Sequence, residues 1–290
     1  MLVETRARRP AAVAEAAAAR RRPPAPLDDD GRAMIIAADH TARGILGAGR
    51  RTGAMADRGE LLDRIQLALS RPGVTGVMAS PDILEDLLLL GVLDGKSVFG
   101  SMNRGGLQGA TWEIDDRFTA YDADTIAANG LDGGKMLTRI ALDEPGTAPT
   151  LEASGSAVTA LARHGRMAMV EPFMTVRTSP NRVENLLDPD SVIDSIHIAA
   201  GLGATSARTW LKLPVVHEMA RVLDATTLPC LLLGGDPKGE PADTYAEWGR
   251  ALEHSSAAGL VVGRALLFPP DGDVASAVDA AVDLVHGGIR

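Results

Sequence analysis

The sequence predicts an α/β protein of the (β/α)8 TIM-barrel class, preceded by an extra N-terminal helix and linker. Three observations lead there. From residue 33 onward, eight short apolar runs alternate with eight amphipathic stretches, the rhythm of strand–helix units repeated around a parallel sheet. Polar and charged residues collect at the C-terminal ends of the apolar runs, where a barrel gathers its active site. The first run is followed by Asp39-His40-Thr41-Ala42-Arg43-Gly44, which lacks the glycine pattern of a doubly wound sheet, the competing architecture.

Residues 1–32 differ from the rest, with seven arginines, five acids and an Ala-rich stretch from Ala11 to Ala19. Alanine favours a helix, Pro23-Pro24 stops it, and Asp28-Asp29-Asp30-Gly31 reads as a loop. This gives a leading helix and linker over residues 1–32 and a barrel domain over 33–290. The first strand is Ala33 to Asp39, followed by a helical pattern at Glu60 to Leu69. Val74 to Ala79 and Ser97 to Gly100 are the second and third strands, each with its helix, Ile83 to Leu90 and Thr119 to Asn129. Gly134 to Leu142 and Met167 to Glu171 follow, with helices at Ser154 to Arg163 and Ser191 to Leu202. The last three strands are Arg208 to Leu213, Cys230 to Leu233 and Leu260 to Val262, with helices at Val216 to Leu223, Asp243 to His254 and Val274 to Val285.

Composition narrows the function. A net charge of -9 argues against nucleic-acid binding through a basic surface. No apolar run reaches the ~18 residues of a membrane span, and the N-terminus lacks the apolar core of a secretory signal. The single cysteine, Cys230, lies in an apolar run, so no intrachain disulfide forms and a reducing, cytoplasmic location is expected. With only three Trp, two Tyr and four Phe, the core must be aliphatic. Leu87 to Leu90 fit either a core face or an interface between copies.

Trp210-Leu211-Lys212-Leu213-Pro214 is the most informative stretch. A lysine at the dry end of a core strand costs free energy unless a carboxylate pairs with it or chemistry needs a depressed pKa. Lys212 is therefore a candidate Schiff-base nucleophile. Lys135, on the fourth strand, faces the same mouth if both point inward; each charge then disfavours protonation of the other, which helps a free amine attack a ketone. Asp39 and Glu171 supply the opposite needs, one holding the second lysine and the other, or a water it positions, moving protons. Leu233-Gly234-Gly235 and Val262-Gly263-Arg264 place glycine amides and an arginine after the last two strands, where barrels commonly bind phosphate. Arg43, Arg104 and Arg139 complete the substrate-binding candidates. The six histidines show no metal-ligand spacing and no serine sits in a Gly-x-Ser-x-Gly context, so neither a metal, nor another cofactor, nor a serine nucleophile is expected.

In order and spacing, Ala38-Asp39-His40, Gly134-Lys135-Met136-Leu137, Val170-Glu171-Pro172, Trp210-Leu211-Lys212, Leu233-Gly234-Gly235 and Val262-Gly263-Arg264 resemble the strand motifs of class I aldolases. The nearest group is the deoxyribose-phosphate and tagatose-bisphosphate aldolase superfamily, and within it the aldolase-like proteins of actinobacterial inositol catabolism. The resemblance spans about residues 33–287. It implies a homo-oligomeric barrel in which Lys212 forms the imine and Lys135 is the second lysine. Glu171 and Asp39 match its acids, and Gly235, Gly263 and Arg264 its phosphate cradle. The implied reaction cleaves 2-deoxy-5-keto-gluconate 6-phosphate to dihydroxyacetone phosphate and malonate semialdehyde. Other ketose phosphates (fructose or tagatose bisphosphate, sulfofructose phosphate) and a silent sugar-phosphate-binding barrel remain open. The polar loop from Ser101 through Gly105-Gly106 to Arg117 is longer than expected and reads as a specificity lid, with Arg104 or Arg117 meeting the aldehyde half.

Overall fold

Parallel pairing closes the eight apolar runs into a barrel. The computed structural model describes residues 1–25, 27–104, 106–236 and 239–287, so Gly105 of the expected lid and the last three residues of the barrel domain lie outside the described residues. The strands are β1 (Ala33–Ala38), β2 (Gly76–Ala79), β3 (Ser97–Ser101), β4 (Gly133–Ile140), β5 (Met167–Ser179), β6 (Arg182–Asn185), β7 (Thr209–Pro214), β8 (Cys230–Leu233) and β9 (Ala257–Val262). All but β6 join one parallel cycle, in which β4 pairs with β5 and β9 returns to β1. The fold is a TIM barrel.

Helices cover the outside, so within the barrel each strand is buried on both faces and reads as a continuous apolar run. They are α1 (Leu2–Arg8), α2 (Ala12–Ala19), α3 (Arg58–Ser70), α4 (Pro81–Leu89), α5 (Ala123–Ala128), α6 (Thr147–Arg163), α7 (Pro189–Ala200), α8 (Met219–Leu223), α9 (Pro241–Leu252), α10 (Arg264–Leu267) and α11 (Val274–His286). Local chemistry starts them. Asp57, Asp122, Asp188 and Asp273 each accept a backbone N–H in the first turn, and Pro81, Pro189 and Pro241 open α4, α7 and α9. In α11 the buried side chains Val274, Ala277, Val278, Ala281, Val282 and Val285 recur at helical spacing, the stripe that docks on the barrel. Among the described residues no helix is long and apolar enough to cross a membrane.

Inside the barrel, Ala33, Ile35, Ala37, Met78, Phe99, Met167, Met169, Leu231 and Val261 form a separate core. The period of two along each strand carries this inner face onward to the C-terminal mouth. Asp39 comes two residues after Ala37, and Glu171 two after Met169. Lys135 stands opposite Met169 in the register of β4 and β5. Lys212 follows Trp210, which stands opposite Met169 and packs on the inner core.

The other mouth is closed by the N-terminal segment. Arg6 reaches Glu85 at 2.7 Å and Asp86 at 2.8 Å on α4. Buried Arg20 donates to the carbonyls of Lys96 (2.7 Å) and Gly130 (2.6 Å) and lies 3.4 Å from Asp132. Leu27 packs on the inner core.

Several boundaries differ from those expected, and α1 is an added helix. Strand five does not stop at Glu171: β5 continues to Ser179 and turns back as antiparallel β6. Its outer half departs from the barrel, so no strand-length rule for barrels foretold it. The helix expected from Ser154 begins at Thr147, whose hydroxyl donates to the carbonyl of Ala141 at 2.7 Å. The helices expected at Thr119–Asn129 and Val216–Leu223 are shorter, Ala123–Ala128 and Met219–Leu223. Leu87 and Leu88 are buried and belong to the core.

Candidate active site

Four charged side chains meet at the C-terminal mouth, one each from the ends or inner faces of β1, β4, β5 and β7. Lys135 Nζ lies 2.9 Å from Asp39 Oδ2 and 2.5 Å from Glu171 Oε2. Lys212 Nζ lies 3.0 Å from Glu171 Oε1. The result is one buried chain of alternating charge, Asp39–Lys135–Glu171–Lys212. It lines a cavity of about 640 Å³.

The two lysines are not equivalent. Burial lowers the pKa of each, but Asp39 and Glu171 together outweigh it at Lys135, whose pKa is raised. At Lys212 burial dominates; Glu171 and Asp39 oppose it, Lys135 adds to it, and the pKa is lowered. The symmetric depression expected from the sequence therefore holds for Lys212 alone. Burial pushes both carboxylic acids toward the neutral form, yet the facing lysines prevail, holding Glu171 at about 2 and Asp39 below the carboxylate range. Both acids pair with Lys135, and Glu171 pairs with Lys212 as well.

At the ends of β8 and β9, Gly234, Gly235, Gly263 and Arg264 line the same cavity. A Cβ on Gly234 would stand 2.6 Å from Val262 Cγ1, and one on Gly263 would stand 2.2 Å from the carbonyl oxygen of Ala37 and 2.9 Å from His40 Cε1. Gly235 has a φ of 62°, in the region that favours glycine. Arg264 Nη1 meets Asp236 Oδ1 at 3.0 Å, while its buried Nε has no partner among the described residues.

Arg43 and Arg139 also face the cavity, but their donors are engaged. Arg139 binds Asp116 Oδ2 through Nε and Glu113 Oε1 through Nη1, both at 2.9 Å, and Arg43 donates to Asp116 and, at 3.0 Å, to the carbonyl of Gly106. Asn103 accepts from the N–H of Leu137 at 2.8 Å. These bonds pin the long loop to β4. Arg104 donates to the carbonyl of Ala42 at 3.3 Å and Arg117 pairs with Asp115 at 2.9 Å; among the described residues neither lines the cavity. Sequence reasoning missed Glu113 and Asp116 as loop anchors, although the acidic run Glu113-Ile114-Asp115-Asp116 was the available signal. It also missed the wall formed by Phe173, Val183 and Asn185 of the β5–β6 hairpin. Among the described residues no three His, Cys, Asp or Glu side chains form a metal-ligand group.

Comparison with known proteins agrees with this fold. Residues 31–282 match the family model described as Cgl0159-like. The solved structure of Cgl0159 from Corynebacterium glutamicum superposes with a TM-score of 0.95 at 52% identity, covering 99% of this chain and 96% of that one. An archaeal fructose 1,6-bisphosphate aldolase superposes with a TM-score of 0.69 at 18% identity over 95% of this chain and 100% of that one. Another archaeal fructose-1,6-bisphosphate aldolase structure, described with its catalytic lysine covalently bound to a carbinolamine intermediate, gives 0.67 at 17% identity over 95% and 100%. At these lower identities the likeness is one of fold. No curated protein matches the sequence.

Proposed function

We propose that this chain, which belongs to the Cgl0159-like family, is a class I aldolase that cleaves a phosphorylated ketose through an imine on Lys212. One observation carries the reading: a buried lysine with a lowered pKa, joined through a single carboxylate to a second lysine with a raised one. The imine step needs a free amine on one lysine and an ammonium on the other, and the opposite pKa shifts favour that division. The free amine of Lys212 attacks the substrate ketone, and the ammonium of Lys135 donates a proton as the carbinolamine loses water. Glu171 balances the charge of the iminium. The iminium then accepts the electrons of the bond between the α and β carbons, leaving an enamine, and the aldehyde departs. Reprotonation at the α carbon and hydrolysis release dihydroxyacetone phosphate and restore Lys212. Gly234, Gly235, Gly263 and the guanidinium of Arg264 hold the phosphate at the ends of β8 and β9.

The substrate follows from the resemblance stated above: 2-deoxy-5-keto-gluconate 6-phosphate, yielding malonate semialdehyde in inositol catabolism. Cytoplasmic residence and assembly with further copies of this chain belong to the same proposal.

The test is incubation with dihydroxyacetone phosphate and sodium borohydride, followed by intact-mass analysis and peptide mapping. The expected result is one stable adduct on the peptide containing Lys212, absent from Lys212→Ala. Binding without an adduct would make the barrel a silent sugar-phosphate receptor. A panel of the inositol-derived ketose phosphate, fructose 1,6-bisphosphate, tagatose 1,6-bisphosphate and sulfofructose phosphate then ranks substrates by kcat/KM.

A further inference from the structure

The proposed cleavage needs a group that takes the proton of the β-hydroxyl and returns one to the α carbon, and the four-member chain does not supply it. Asp39 and Glu171 are both committed to lysines, Glu113 to Arg139 and Asp236 to Arg264. Glu240, Asp243 and Glu247 stand exposed on the rim, and among the described residues no tyrosine or cysteine lines the cavity. A carboxylate clamped by ammonium groups is a poor base, because taking a proton would undo its ion pairs.

His40 remains. It follows Asp39 directly, on the short turn His40–Arg43 that leaves β1, and its ring lines the cavity. Ring atom Cε1 stands 2.9 Å from where a Gly263 Cβ would be, so the missing side chain of Gly263 makes room for the imidazole. Its Nδ1 is buried and has no hydrogen-bond partner among the described residues. A buried polar atom left unpaired costs about 1–3 kcal/mol, so the fold accepts a bonding deficit to keep this half-buried imidazole in the cavity wall.

We infer that His40, between the glycine cradle and the lysine pair, carries the proton in the carbon–carbon bond step. This rests on the aldolase reading above. In the cleavage direction the β-hydroxyl gives its proton to the unprotonated ring nitrogen, its oxygen becomes the aldehyde carbonyl, and the electrons of the α–β bond neutralise the iminium as the enamine forms. The imidazolium then gives that proton to the α carbon, regenerating the iminium, which water hydrolyses. Atoms and charge balance, and no further reactant is needed. The ring starts neutral: burial, assisted by the charges of Arg264, Lys212 and Lys135 against that of Asp39, lowers its pKa to about 4.

The experiment compares the wild-type protein with His40→Gln and His40→Asn in D2O with dihydroxyacetone phosphate. Two readouts are followed: the borohydride-trapped adduct on Lys212, and exchange of the α-carbon hydrogen for deuterium by NMR. Both variants are expected to trap the adduct within about twofold of wild type, while exchange and turnover fall roughly 100-fold or more, the range for loss of a general acid–base group. Exchange within about threefold of wild type in either folded variant overturns the inference. So does loss of the adduct together with exchange in both variants, because His40 would then serve imine formation or the fold. Absence of an adduct in the wild type is a different failure and removes the aldolase reading itself.

Discussion

Glu171 bridges the two lysines of the site, with Oε2 2.5 Å from Lys135 Nζ and Oε1 3.0 Å from Lys212 Nζ. Glu171 is the acid the two lysines share, and it raises the pKa of both. Lys135 has a second acid in Asp39, and among the described residues Lys212 has none at comparable distance. The opposite pKa shifts of the two amines follow from that difference in partners.

Glu171→Gln keeps the shape of the bridge and removes its charge. Lys135 then keeps Asp39 alone as its acid and Lys212 loses the carboxylate that raises its pKa, and breaking a buried pair of this kind costs about 3–5 kcal/mol. The expected outcome is a lower denaturation midpoint with unchanged m-value, together with loss of most turnover. Chemical denaturation and steady-state assays check both.

Lys135→Met removes the positive charge that lowers the pKa of Lys212 and leaves Glu171 to act on Lys212 alone. Adduct formation on Lys212 should therefore need a higher pH than in the wild type. Borohydride trapping across a pH series reads the shift directly, and a shift toward acid would contradict the assignment.

The depressed carboxylate sets the acid limb of stability. Glu171 is held at about 2 in the folded protein and titrates near 4.3 when unfolded. Its contribution is fully present above about pH 4.3 and is lost as pH falls toward the folded value. Denaturation midpoints at pH 7, 4 and 2.5 should fall steeply in the wild type and less steeply in Glu171→Gln.

Gly263→Ala would place a methyl group 2.2 Å from the carbonyl oxygen of Ala37 and 2.9 Å from His40 Cε1. Either the end of β9 or the imidazole must move. The expected outcome is a rise in KM for the phosphorylated substrate and a fall in kcat, measured against Gly201→Ala, whose Cβ would meet nothing nearer than 3.6 Å.

Arg20→Met tests the opposite mouth. Arg20 is buried, with donors to Lys96 and Gly130 and a charge facing Asp132, so its loss leaves an acid less compensated. Stability should drop by roughly 2–4 kcal/mol, within the range for broken buried pairs. Because the change lies at the N-terminal ends of the strands, kcat below the melting transition should hold.

The barrel and most of the site were legible in the chain because parallel strands covered on both sides leave continuous apolar runs, and a charged residue at the end of such a run stands out. Lys212 within Trp210-Leu211-Lys212-Leu213 and Glu171 after Met169-Val170 are visible for this reason. The β5–β6 hairpin was hidden, because Phe173 to Ser179 carries no break at the point where strand leaves barrel. The loop arginines were harder still. Of the arginines expected at the substrate, Arg43 and Arg139 face the cavity while Arg104 and Arg117 do not line it, and the two that do are occupied by Glu113 and Asp116 from the long loop.

By itself the sequence determined the apolar and polar periodicity, and so the barrel, its inward face and the set of charged residues at its mouth. Only the tertiary structure decided which acid meets which lysine, and therefore the opposite directions in which the two lysine pKa values move, and which histidine nitrogen is left unpaired among the described residues. Periodicity is a property of near neighbours along the chain, while a pKa depends on charges a few ångströms away in space, contributed by strands that lie up to more than a hundred residues apart.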